Sequence, residues 1–429
     1  MSKLFLSLKE RIPSLLHNKN IRNGGLYTIF AFAGRGFSFI MLMIVSAYIA
    51  PDEYGNLSLF NTCVQVCGFF MGLSSAGYLS VSFFKSDKDS FHKDLGTIFS
   101  LYVITALLTL GIVWIIKGKM SNWLGIPPAM FWLVVVISFF SSLYQILLDY
   151  QRVKENVWRY GIITMLFVII YFSLTLYFVV PKQLSWKGVV FANTTASVTL
   201  GIFAIGFLFR NRLLSFSLSM DRIKSILSWS LPLIPHLATV WICNGCDQYI
   251  IKYFYSTYEV GIFSFALNLS SVIAMVGTAF NQTYSVNLYQ ILSSGRKEEI
   301  IQRTNRQKKI LYYINVASMI LITVFLSILV TFFLPNYTPS LPYFYILVVF
   351  AFLQCVYLIY CNYLFYYGAT QKLMLITFGS SLVHLLLSIW LTRYSLYLTA
   401  VIYIAVQIGI VVLIARESKI LLERNTKEI

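Results

Sequence analysis

Residues 226–265 read ILSWSLPLIPHLATVWICNGCDQYIIKYFYSTYEVGIFSF, and their reading decides the fold. The apolar part is about twenty residues long, enough to cross the hydrocarbon core of a bilayer. Pro232 and Pro235 break it near its start, and Asp247 stands near its far end. A polar turn with Glu259 and Gly261 follows, and a second apolar run begins at once. The same turn occurs earlier in the chain. DEYGNLSL at 52–59 aligns with YEVGIFSF at 258–265, sharing Glu, Gly and Ser at an offset of 206 residues. The chain therefore reads as two related halves, and this stretch opens the second.

The rest of the sequence agrees. Of 429 residues, 58% are apolar and only 11% charged, against roughly 25% charged in a soluble domain. No soluble core could hide that much apolar surface. Twelve runs reach spanning length, at about 24–48, 57–83, 95–116, 130–150, 159–180, 187–209, 229–251, 260–288, 310–333, 342–367, 373–392 and 396–415. The expected fold is an all-α integral membrane protein of about twelve transmembrane helices. Six helices per half is an even number, so both halves enter the membrane with the same orientation, related by a pseudo-two-fold axis along the normal. The expected division is an interfacial segment at 1–23, a six-helix bundle at 24–210, a linker at 211–228, a second bundle at 229–415 and a tail at 416–429.

Lysine and arginine set the orientation. Of the 33, 26 fall on the side of the chain termini, six fall on the other side, and Arg35 lies within the first run. Both termini are thus expected in the cytoplasm. The net charge of +17 is then a topology signal with some attraction to anionic headgroups, and implies no nucleic-acid partner. The segment before the first run carries Leu4, Leu8, Ile12 and Leu15 at helical spacing among basic residues, which suits a helix lying in the interface.

Ionisable groups inside spans are costly and mark functional positions or buried pairs. Arg35 sits about halfway along the first run, where it either faces a watery cavity or makes a structural pair. Single-face polar stripes recur: Asn61 and Gln65 in the second run, Ser138, Ser142, Gln145 and Asp149 in the fourth, His236, Asn244, Asp247 and Gln248 in the seventh. Asn268 and Gln282 mark the eighth run, and Thr377, Ser381, His384 and Ser388 the eleventh. One such stripe is ordinary helix packing; five together suggest a hydrated cavity lined by neutral polar groups. Asp149, beside Arg152 and Lys154, reads as half of a solvated ion pair. Pro232 and Pro235 mark either a helix start or a gating kink. All six cysteines lie in expected spans, and Cys243 and Cys246 read as small apolar residues rather than a redox or zinc pair. No nucleotide-binding, metalloprotease or paired-carboxylate motif occurs, and no loop has room for a catalytic domain. An enzyme is not expected, and no metal or other cofactor is implied beyond H⁺ or Na⁺ coupling.

The stretches SWSLPLIP, DQYIIK and YEVGIFSF, together with Arg35 and SAYIAPDEYGNLSL, resemble the hallmarks of bacterial polysaccharide-export flippases. These form the O-antigen and capsule branch of the multidrug/oligosaccharidyl-lipid/polysaccharide exporter superfamily. The resemblance implies two six-helix bundles around a central cavity, working by alternating access in the bacterial inner membrane. It implies a cargo of undecaprenyl-diphosphate-linked oligosaccharide, moved from the cytoplasmic to the outer leaflet for surface polysaccharide synthesis. Arg35 would meet the diphosphate through charge-assisted bonds, and Arg152 and Arg159 would collect the headgroup. Membrane lipids, a polysaccharide polymerase and a chain-length regulator are the expected partners. Gln248 stands where the family often has Arg or Lys after the aspartate. The competing readings are an ion-coupled small-molecule exporter, with Asp247 as the deep carboxylate, and a membrane polymerase or glycosyltransferase.

Overall fold

The structure is a computed structural model that describes residues 19–72, 75–216, 219–231, 239, 241–242, 245–293 and 297–425. Among these residues every regular element is helical. The helices are α1 Lys19–Tyr48, α2 Pro51–Gly72, α3 Ser75–Lys85, α4 Lys88–Leu124, α5 Met130–Val153, α6 Val157–Val179 and α7 Ser185–Arg210. After α8 Met220–Ser230 come α9 Cys246–Phe254, α10 Thr257–Ser293, α11 Lys297–Phe333, α12 Leu341–Tyr366, α13 Thr370–Leu391 and α14 Leu396–Asn425. Ten helices among the described residues are long and apolar enough to span a membrane, and Phe32–Tyr48 adds a shorter apolar one. These cover eleven of the twelve expected runs. The seventh is carried in part by α9, and its Pro232, Pro235, His236 and Asn244 lie outside the described residues.

Local chemistry explains where helices begin and stop. Pro51 opens α2, with Asp52 and Glu53 in its first turn, where a missing N–H costs nothing and negative charge meets the helix dipole. Ser256 and Glu259 form a capping box at the start of α10: the Ser256 backbone N–H donates to Glu259 Oε2 at 3.2 Å, and the two side chains also bond. Past α12, Gly368 takes φ +70°, a left-handed turn that ends a helix without a Cβ penalty.

The helices gather into two compact units. One holds the chain up to Tyr48 with Cys63–Asn122 and Ile126–Ile234; the other holds Ile49–Thr62, Trp123–Gly125 and Pro235–Ile429. In the first unit α5, α6 and α7 pack on one another and α1 lies along α6. A core of Leu79, Leu95, Ile98, Leu143, Ile146, Leu208 and Ile226 joins α3, α4, α5, α7 and α8. That core includes a segment expected to be mere linker. Ser219 caps α8 by accepting from the Arg222 N–H, and Ile223, Ile226 and Leu227 turn its apolar side inward. In the second unit α12 packs between α10 and α14, and α9 rests on α10 and α13. The spans differ in exposure. Of the most apolar stretch of α10, 61% is buried, against 11% for α11, so α10 is an internal helix and α11 turns most of its surface outward.

The repeated turns meet inside the second unit. A Cβ at Gly55 would run into the Thr257 carbonyl, and a Cβ at Gly261 would run into the Pro51 carbonyl. Pro51 and Thr257 are themselves separated by the repeat offset, so the two contacts exchange under the internal symmetry. Only glycine permits this backbone approach, which is why both copies of the turn carry one at that place.

Candidate functional site

A buried polar pair of the second unit is built from two helices. On α9 the inward face is Cys246, Asp247 and Ile251. On α13 the polar stripe puts Ser381, His384 and Ser388 in the interior. His384 Nε2 lies 2.7 Å from Asp247 Oδ2, and the side chains are 2% and 1% exposed. The serine and threonine hydroxyls of that stripe stay within their own helix where they bond: Thr377 donates to the Leu373 carbonyl and Ser381 to the Phe378 carbonyl. His384 is the stripe member that reaches across. The edge of its ring meets Tyr403 of α14 at 4.7 Å between centroids, and Phe263 and Phe350 pack on Tyr403 in turn. A carboxylate and an imidazole have thus been taken from water into an aromatic setting, where the pair holds only through close geometry.

One residue on, Gln248 meets α2. Thr62 Oγ1 lies 2.7 Å from the Gln248 side-chain amide and 2.9 Å from the Ser58 carbonyl. The one hydroxyl proton of Thr62 has two acceptors within reach, Gln248 Oε1 and the Ser58 carbonyl. Further along, Asn268 of α10 donates to the Tyr54 hydroxyl at 2.9 Å. The Tyr337 hydroxyl donates to the Ile49 carbonyl at 2.8 Å, and the Tyr337 ring packs 4.4 Å from Phe265. The start of α2 is therefore held in the second unit by side chains on each side of the glycine crossing.

The other site candidates are placed as follows. Arg35 is exposed on α1, and beside it Gly34 and Gly36 have open space where a Cβ would stand. Arg152 pairs with Asp149 at 2.8 Å, and Gln145 donates to the same carboxylate at 3.3 Å. The expected pair forms, but it is not a solvated one at both ends: Asp149 is 1% exposed and only Arg152, at 51%, reaches solvent. The reason is local, since Asp149 lies on the packed face of α5 with Ile146 and Tyr150. Lys154 sits over the Tyr150 ring instead. Arg159, Asn61, Gln65 and Gln282 are exposed. The structure thus brings together Asp247 with His384 and Gln145 with Arg152. Among the described residues it shows no direct bond between Arg35, Arg152 and Arg159.

Sequence reading missed two features. Arg222 of α8 donates to Asp94 Oδ1 at 2.7 Å, while Ser82 donates to Asp94 Oδ2 at 2.6 Å, tying the linker helix to α3 and α4. Nothing in the polar segment around Asp94 distinguishes it from a solvated loop. Thr62 was also overlooked, although it stands next to Asn61 in the stripe that drew notice.

The model of the family described as "Polysaccharide biosynthesis protein" matches residues 21–285. The chain belongs to that family. The match covers both repeated turns, Arg35 and Asp247, but stops short of His384. A second model, MatE, matches residues 232–390 and takes in both members of the buried pair. A curated relative, "Lsg locus putative protein 1" of Haemophilus influenzae, is 21% identical over 85% of this chain and 90% of its own. Among solved structures, an inward-facing multidrug resistance MATE transporter of the MOP superfamily superposes with a TM-score of 0.73 at 14% identity, over 92% of this chain and 96% of its own. The lipid II flippase MurJ, in an inward closed conformation, gives 0.70 at 13% identity, over 92% and 87%. At such identities the likeness is one of fold. This family member is accordingly a multi-pass membrane protein with the fold of MOP-superfamily transporters and flippases, as the expected all-α architecture required.

Proposed function

We propose that the chain is a flippase that moves an undecaprenyl-diphosphate-linked oligosaccharide from the cytoplasmic to the outer leaflet of a bacterial inner membrane. The observation that carries the reading is the polysaccharide biosynthesis family match over 21–285 on a chain whose described residues are almost all helical. The distribution of basic residues supports cytoplasmic termini. Arg35, exposed within an apolar helix, supplies a guanidinium suited to phosphate oxygens, and Arg152 and Arg159, exposed at the adjoining ends of α5 and α6, would collect the headgroup from the cytoplasmic side. A polymerase and a chain-length regulator would take the delivered units onward.

The test uses host cells lacking this chain. Their lipid-linked oligosaccharides are exposed to a membrane-impermeant sugar-oxidising reagent. Complete units protected from the reagent, and oxidised once the chain is restored, are the expected result. Arg35→Ala should abolish restoration at normal protein level, and full activity of that variant would remove Arg35 from the mechanism. The second reading, an ion-coupled small-molecule exporter, is favoured by the MatE match over 232–390 and by a carboxylate, Asp247, inside it. Unchanged oligosaccharide exposure in the deletion cells, with drug resistance on overexpression, would select it.

A further inference from the structure

We propose that a cavity at one end of the first unit is a binding site for the phosphate of an anionic membrane lipid, and that the bound lipid steadies the docking of α8.

The cavity measures about 350 Å³ and lies where the ends of α3, α4 and α5 meet the segment after α7. Its floor is apolar and aromatic: Phe83, Phe91, Tyr150 and Leu213. Phe91 stacks with Tyr150 at 6.3 Å between centroids, and Phe83 meets Phe91 edge-on at 5.3 Å. The rim is polar and basic: Ser86, Lys88, His92 and Lys154. Among the described residues no acidic side chain lines the cavity, and no carboxylate pairs with Lys88 or Lys154. Asp87, beside Lys88 in the chain, accepts instead from the Ser90 N–H at 3.4 Å. Lys154 lies over the Tyr150 ring, 4.8 Å from its centroid, a contact that leaves ammonium N–H bonds for an oxygen acceptor. The imidazole of His92 can donate in either charge state. Two lysines and an imidazole around one small basin, with no counter-charge in it, suit an anion whose several oxygens accept at once, as a phosphate does.

Depth assigns the source of that phosphate. The apolar runs end at about 83, 150 and 209 and resume at about 95. Phe83 and Tyr150 therefore stand at the edge of the hydrocarbon, and Lys88, His92 and Lys154 lie just beyond it. That is the level of lipid headgroups, where aromatic rings and the tips of lysines gather. Phe84, next to the floor, is 75% exposed and offers apolar surface to the chains of the same lipid. The expected topology puts this end on the cytoplasmic side, the membrane face that carries negative surface potential. The volume is at the small end for small-molecule sites. It suits a phosphate with a small alcohol such as glycerol, and falls short of an oligosaccharide.

The first turns of α4 serve both the cavity and α8. Ser90, between Lys88 and His92, and Asp94, just after them, accept from Arg222 of α8 at 3.1 and 2.7 Å. On the cavity side Ser86 Oγ lies 3.5 Å from Ser82 Oγ, and Ser82 donates to Asp94 Oδ2 at 2.6 Å. The His92 carbonyl accepts from the Ser215 N–H at 3.1 Å, which fastens the segment leading to α8. A phosphate held by Lys88 and His92 thus fixes the turns on which Arg222 and Ser215 depend.

The binding test uses the purified full chain in detergent, with bound molecules counted by native mass spectrometry. Dioctanoyl phosphatidylglycerol should bind saturably, about tenfold tighter than dioctanoyl phosphatidylcholine, whose choline cancels the phosphate charge. Lys88 and Lys154 are exposed, so Lys88→Gln and Lys154→Gln leave the fold intact, and each should weaken binding about fivefold. Lys419→Gln, at a lysine 78% exposed on α14, should leave it unchanged. An affinity that ignores the two cavity lysines, or falls as much with Lys419→Gln, overturns the site. Equal affinity for phosphatidylcholine overturns the selectivity for an anionic lipid. Inorganic phosphate or uridine monophosphate bound as tightly as phosphatidylglycerol overturns the lipid source.

The second arm reads α8 through tryptic cleavage after Arg212, which is exposed. Phosphatidylglycerol at about ten times its half-saturating concentration should slow that cleavage about tenfold, because it binds the docked state. Lys154→Gln should weaken the protection at the same lipid concentration. Cleavage unchanged with the lipid bound overturns the link to α8. No oligosaccharide cargo is present in either arm, so the outcome is independent of the flippase reading.

Discussion

Two buried aspartates in this molecule have opposite kinds of partner. Asp149, on α5, is paired within its own helix to Arg152 three residues on, and Arg152 is half exposed. Asp247, on α9, is paired to His384 at a separation of 137 residues, and both are sealed from solvent. The carboxylates are equally hidden, so burial of the acid does not distinguish them. What differs is the reach of water to the partner. Where the partner stands half in solvent, water can replace it; where it is enclosed, nothing can. The first pair is therefore tolerant and local, and the second is an obligatory link between two helices.

The largest effect should come from breaking the enclosed pair. His384→Ala leaves a buried carboxylate alone and should cost about 3–5 kcal/mol, read as a lowered thermal midpoint of the purified protein. The double change Asp247→Leu with His384→Leu removes both polar groups and should recover most of that stability, because a buried ion pair contributes little over apolar packing of similar volume. A double variant as unstable as His384→Ala would show that the pair links α9 to α13 in a way apolar packing cannot replace.

The same contrast explains what was legible in the sequence. A spanning helix is a local property of about twenty apolar residues, so the expected runs could be read directly and α1 to α7 and α10 to α14 followed. Asp247 and His384 were each singled out, one as a deep carboxylate and one in a polar stripe, because a polar residue in an apolar run is conspicuous alone. Their pairing was not legible, since it depends on how α9 and α13 pack. Thr62 with Gln248, 186 residues apart, was hidden for the same reason. The equivalence of Gly55 and Gly261 could be read as a repeat, but their mutual contact could not. For α8 the signal was present: a serine cap, then apolar residues at helical spacing. It was masked by the basic residues around it, which suit a linker equally well.

An intermediate case sharpens the comparison. Asp94 is 5% exposed and its partner Arg222, on another helix, is 28% exposed. Arg222→Ala removes a charge-assisted bond from a hidden acid but leaves Ser82 in place. A loss of about 2 kcal/mol is expected, along with faster proteolysis in the 211–219 segment as α8 is released from α4. Loss of α8 docking without loss of global stability would instead mark this helix as a separately opening element.

Arg152→Ala should be mildest, at about 1 kcal/mol or less. The guanidinium is half in solvent, so its removal admits water to Asp149 Oδ1, and Gln145 continues to donate to that same oxygen. The thermal midpoint should therefore move least of the three, and added salt should narrow the remaining difference from wild type, as it does for pairs open to solvent. This measurement is the severest on the comparison because Asp149 is as buried as Asp247. If Arg152→Ala costs as much as His384→Ala, burial of the acid governs, and the accessibility of the partner counts for nothing. If the two differ by a factor of three or more, the enclosed histidine is what makes Asp247 dependent on a single side chain, while Asp149, with its partner open to water, is not.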